Sequence, residues 1–184
     1  MSTALLVMDY QNGIVDRLGT DSALHAAVAA VDAARASGIP VVFVRVAFRP
    51  GAPEIADRNR MFGAARARMG DQLPEATDVH GAFRLTDDDL VVVKRRVSAF
   101  TGSDLEVLLR GLGATDLVLA GIATSGVVLS TLRQAADLDF GLTVLADACT
   151  DGDPEVHRVL TEKVFPRQAD VVTAEQWIAA LDVH

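Results

Sequence analysis

TDLVLAGIATSGVVLSTLRQAADLDFGLTVLADAC, Thr115 to Cys149, holds a strand, a corner, a helix and another strand in one unbroken run. Leu117 to Ala120 is apolar without alternation, as in a strand buried on both faces. Gly121 to Ser125 is a corner of small residues. From about Ser125 to Asp139 the apolar residues return at helical spacing. Gly141 to Cys149 is again a strand-length apolar run.

The same alternation extends in both directions. Ala4–Tyr10 predicts a first, central strand, and Asp21–Gly38 an Ala-rich helix stopped by Gly38. Pro40–Phe48 predicts a second strand and Leu90–Arg96 a third. Ser103–Gly113 is a short capped helix. Downstream, DPEVHRVLTEKVF predicts a helix with Pro154 in its first turn, ADVVTA a sixth strand, and TAEQWIAALD a closing helix capped by Thr173. Strands alternating with helices predict one α/β domain over residues 1–184. The expectation is a three-layer, Rossmann-like fold with a six-stranded parallel sheet and helices on both faces. One stretch resists this pattern. Residues 49–83 form a long excursion full of breakers, with Met61, Phe62 and Met69 among arginines; such loops commonly carry function or partner contacts.

The 184 residues carry a formal net charge of −8, which offers no basic face for nucleic acid. Mean hydropathy is +0.27, yet no apolar run reaches the roughly 20 residues of a membrane span. The N-terminus has no basic stretch before Asp9, so it reads as a strand and not as a signal peptide. A single cysteine excludes an internal disulfide and favours a reducing, cytoplasmic setting. GLGATD, Gly111–Asp116, follows a helix and precedes a strand, the reverse of the dinucleotide-binding order. His25, His80, His157 and His184 lack ligand spacing. Neither a metal nor a cofactor is expected.

Sites in open parallel sheets gather beyond the carboxyl ends of strands. Asp9 ends an apolar strand, so its carboxylate needs a partner or a raised pKa. Lys94 follows three valines and faces the same demand. Together they form either a working pair or an inert buried ion pair.

LLVMDYQNG, VVVKRRVSAFTGSDLEVLLR, AGIATSGVVLST and LADAC resemble, in order, four segments of the isochorismatase-like hydrolases, also called the cysteine hydrolase superfamily. The resemblance implies that family's six-stranded fold and a small-molecule substrate. It assigns Asp9 as the acid/base and Lys94 as the lysine of the polar centre. It also implies a cis peptide at Ile122–Ala123, in a turn whose backbone N–H groups face the substrate, and places Thr124, Gln11 and Phe100 near the pocket. Insertions like residues 50–80 shape pocket lids and dimer contacts there, so a homodimer or higher homo-oligomer is expected.

The match breaks at Val127, which stands where the superfamily has its nucleophilic cysteine. Valine cannot form a thioester, so thiol-based amide hydrolysis loses its attacking group. Cys149 lies at another strand end and reads as a small buried thiol. Thr124 and Ser125 show no histidine partner in the sequence, and Ser125 reads as a helix cap. The isochorismatase branch works without the cysteine, by protonating a vinyl ether with a neutral Asp. There the expected residue is Gly, so Val127 narrows the pocket substrate-side. A carboxylated substrate would need positive charge, for which Arg45, Arg49, Arg95 and Arg96 are candidates. Three readings stay open: an acid/base hydrolase of a small carboxylated or carbonyl compound, a silent binding or scaffold relative, and a thiol amidase using Cys149.

Overall fold

In the computed structural model, which describes residues 2–18, 20–63, 66 and 74–181, β1 (Thr3–Met8) lies at the centre of a parallel sheet. β2 (Val41–Val46) and β3 (Leu90–Lys94) extend one side; β4 (Asp116–Ile122), β5 (Gly141–Thr150) and β6 (Asp170–Val172) extend the other. The order is β3-β2-β1-β4-β5-β6, so the winding reverses between β1 and β4 and opens a crevice there. The six strands and the two-sided helix cover agree with the sequence. Met69 and His184, singled out there, lie outside the described residues.

Helices α1 (Asn12–Leu18) and α2 (Asp21–Ala36) follow β1. Beyond β2, the single helical turns Arg60–Gly63 and Pro74–Thr77 fall within the excursion. Helix α3 (Leu105–Gly111) precedes β4, and α4 (Leu129–Asp137) follows it. Helix α5 (Pro154–Val159) widens into a π-helical turn at Leu160–Val164, and α6 (Ala174–Leu181) comes last. No described helix is long and apolar enough to cross a membrane.

The sheet separates two apolar layers. One contains Leu6, Met8, Val44 and Val92 with Leu105 and Leu109 of α3 and Leu132 of α4. The other contains Leu5, Val7 and Phe43 with the Ala-rich face of α2 and Trp177 of α6. Successive residues of a strand point to opposite faces, which is why Met8, Val44 and Val92, matched in register, share a layer. That alternation fails at Asp9. Its φ of 59° is left-handed, and Tyr10 joins Leu5 and Val7 in the second layer where strict parity would have put residue 9. The Tyr10 hydroxyl lies 3.0 Å from both the Ala23 and Ala148 carbonyl oxygens, fixing the new parity.

Gly121 permits the closest approach at the switch point. A Cβ there would meet the Met8 carbonyl oxygen at 3.0 Å and Val128 Cγ2 at 3.2 Å. Thr173 caps α6 as expected: its hydroxyl accepts from the Gln176 N–H, and the Gln176 side chain accepts from the Thr173 N–H.

Candidate active site

Asp9, freed from the strand by its left-handed backbone, turns toward the layer that contains Lys94. Lys94 pairs in register with Val46 of β2, so its side chain must reach across the end of that strand. It does: Lys94 Nζ is 2.9 Å from Asp9 Oδ2, with the side chains 2% and 9% exposed. Nζ also donates to the carbonyls of Arg96 at 3.0 Å and Val97 at 3.1 Å. An ammonium has three protons, and all three are now committed. Asp9 Oδ1, by contrast, is buried without a hydrogen-bond partner. Burial pushes the Asp9 carboxyl up from its ordinary 3.8 to about 6, against the pull of the Lys94 charge. The result is one clamped oxygen and one bare oxygen on the same carboxyl.

Asp9 lines a cavity of about 190 Å³ at the crevice, together with Lys94, Val46, Ile122, Ala123 and Val127. Its other wall is the face of α1 formed by Ile14, Arg17 and Leu18, with Met61 and Phe62 contributed by the excursion. The peptide joining Ile122 and Ala123 is cis, as the family resemblance implied. Thr124–Val128 then makes one π-helical turn, which brings Val127 to the cavity wall at 2% exposure.

Three of the residues placed near the pocket by resemblance stand outside its lining. Gln11 clasps backbone: its amide donates to the Val46 and Thr77 carbonyls and accepts from the Val46 N–H. Phe100 packs against Phe140, ring centroids 6.2 Å apart, within the first apolar layer. Thr124 is fully buried, and contrary to the sequence reading it has a histidine partner, since its Oγ1 lies 2.8 Å from His157 Nδ1. The two are 33 residues apart in sequence, and only the packing of α5 against the turn brings them together. Ser125 does not cap the following helix with its side chain. The acceptor is Asp151, whose Oδ2 takes the Ser125 N–H at 2.7 Å.

The four arginines considered for a substrate carboxylate are engaged elsewhere. Arg45 binds Thr77 and Asp78, Arg49 binds Glu54, Arg95 binds the Ala47 carbonyl and Glu54, and Arg96 donates to the carbonyls of Arg95 and Glu54. They anchor the excursion to the ends of β2 and β3. The cation among the described lining residues that sequence reasoning missed is Arg17; it and Leu18 stand three and four residues after Ile14, a spacing that shares a face only once α1 is known to be a helix. Cys149 is buried in the first layer, and burial pushes its thiol up to about 12. A thiol so held is not a nucleophile at neutral pH. Among the described residues, no group of three His, Cys, Asp or Glu is placed to hold a metal ion.

Comparison with known proteins agrees with this fold. A model of the isochorismatase domain matches residues 3–176. The chain is 36% identical over 185 residues to the isochorismatase family protein YecD of Escherichia coli O157:H7, covering 98% of this chain and 96% of that one. It is 32% identical over 207 residues to the ureidoacrylate amidohydrolase RutB of Pseudomonas syringae pv. syringae, covering 98% and 81%. Among solved structures, an isochorismatase family protein from Burkholderia thailandensis superposes with a TM-score of 0.86 at 31% identity, covering 98% and 96%.

Proposed function

The chain belongs to the isochorismatase family, a family of hydrolases, and from that premise we propose that it hydrolyses a small carboxylated or carbonyl compound by proton transfer at Asp9, without a covalent intermediate. The observation that carries this reading is the division of labour within one carboxyl of a cavity-lining residue: Oδ2 is held by Lys94, while Oδ1 is buried and unpartnered.

In its neutral form, Asp9 protonates the substrate at the leaving atom or at an electron-rich carbon. Water adds its hydroxide to the electron-poor centre, and its remaining proton restores Asp9. The carboxylate that exists between these events lies beside a cation already in place, so the charge that develops meets a preorganised partner. Lys94 does not give up a proton in this scheme; its three hydrogen bonds hold it as a fixed charge. With a pKa of about 6, roughly a tenth of Asp9 is protonated at pH 7, enough for a general acid and rising in mildly acidic solution. The substrate meets a wall at Val127, not a nucleophile. In this reading the chain works in the cytoplasm as a homodimer or higher homo-oligomer.

A hydrolase screen over isochorismate, nicotinamide and small amides tests the proposal. Wild type should turn over at least one compound and Asp9→Asn none, with circular dichroism unchanged. Silence of the wild type toward every compound, together with retained ligand binding, would establish the second reading, a binding protein. That reading is favoured by Val127 itself, because it removes the attacking atom from the position where the superfamily keeps it.

A further inference from the structure

The cavity pairs two kinds of unspent polarity. Asp9, whose Oδ1 is buried without a partner, lines it, and so does Arg17, an exposed residue of α1. Among the described residues no hydrogen bond or ion pair holds Arg17. This sets it apart from Arg45, Arg49, Arg95 and Arg96, each tied to a carbonyl or a carboxylate. The remaining cation at the cavity, Lys94, has no proton to offer, because Asp9 and two carbonyls take all three. The lining also includes the apolar side chains of Ile14, Leu18, Phe62 and Val127.

We propose that Arg17 is the specificity-determining residue of this cavity, docking the carboxylate of a small monoanion with an apolar body whose reactive end is thereby presented to Asp9. The inference rests on reading this cavity as the substrate site. A planar guanidinium suits a carboxylate because it can donate two parallel N–H bonds to it. Among the described residues no other lining group of the cavity supplies free positive charge, so a neutral compound of equal shape gains no such contact from them. Among the described lining residues a second carboxylate on the ligand would meet Asp9 or an apolar wall, which favours a ligand with one. The cavity of about 190 Å³ sets the size class: a body of a few carbons.

Equilibrium binding tests the proposal independently of turnover. Isovalerate is titrated into the full chain by isothermal calorimetry and compared with isovaleramide, its neutral isostere. Wild type should bind isovalerate about tenfold more tightly, the scale expected for one partly exposed charge-assisted pair. Arg17→Gln should abolish that preference, and Arg17→Lys should retain part of it. Equal binding of the two compounds by wild type, or a preference that survives Arg17→Gln, overturns the proposal. Failure here is distinguishable from failure of the hydrolase reading. Arg17-dependent carboxylate binding with no turnover in any screen keeps this inference and discards the chemistry. Turnover whose KM and kcat are both untouched by Arg17→Gln discards this inference and keeps the chemistry.

Discussion

Replacing Asp9 by Asn removes the transferable proton while preserving shape and tolerance of left-handed backbone, which Asn shares with Asp. The expected outcome is loss of turnover by at least about a hundredfold, the usual scale for a positioned acid, with an unchanged spectrum. The pH profile identifies the role. Because burial raises Asp9 to about 6, kcat/KM should be flat below that pH and fall about tenfold per unit above it. A profile that instead rises through 6 would make Asp9 a base. Lys94→Met removes the influence that lowers Asp9, so the carboxyl rises further. A group whose folded pKa exceeds its unfolded value adds stability in acid and loses it as pH climbs through the folded pKa. The variant's deficit against wild type should therefore be small near pH 5. It should grow above pH 6 toward about 3–5 kcal/mol, the cost of stripping one partner from a buried pair. Denaturant titrations at pH 5 and 8 check this. At this scale the sequence was informative: two lone charges ending apolar runs pointed to Asp9 and Lys94. Arg17 was harder to see because the sequence reading had no α1 on which to place it.

Helices and strands pose a different test, through the glycines that let them meet. At Gly121 a Cβ would press on the Met8 carbonyl oxygen and Cβ, which are fixed by the β1 backbone, as well as on a Val128 methyl. At Gly141 a Cβ would overlap Asp116 Oδ1, the tip of a side chain that can rotate away. Gly121→Ala should thus cost about 1–3 kcal/mol by overpacking and Gly141→Ala clearly less, as read from urea midpoints. The order of these two effects, opposite to the order of closeness, is what the measurement checks. Strands were legible because apolar runs of their length are hard to mistake. The π-helical turn at Thr124–Val128 and the pairing of Thr124 with His157 were not. Both depend on α5 and the β4 corner packing together, and the local sequence carries no record of that contact.

On the scale of the whole molecule, two apolar layers share one sheet, so neither can melt alone. Chemical denaturation should show one transition, coincident by far-ultraviolet circular dichroism and by fluorescence of the single Trp177, which sits in the α6 layer. Separate midpoints would contradict the single-domain expectation. The architecture was readable from alternation alone. The strand order was not, and with it the fact that Lys94 must reach Asp9 across β2.

A small third cluster stands apart from both layers: Ala52, Ile55 and Phe62, flanked by Phe48 and Val97. Among the described residues it is held by the Phe48–Phe62 ring contact, the Asn59 side chain on the Phe62 N–H, Arg66 on the Gly51 carbonyl and Asp57, the Arg96 donation to the Glu54 carbonyl and the ion pairs of Glu54. Since Phe62 also walls the cavity, that wall belongs to a cluster separate from the two layers of the sheet. Heat, mild denaturant or a fluctuation can lift it while the sheet stays whole. The amides of Phe62 and Gly63 should accordingly exchange with solvent deuterium well before those of Leu5 and Leu6 in the central strand.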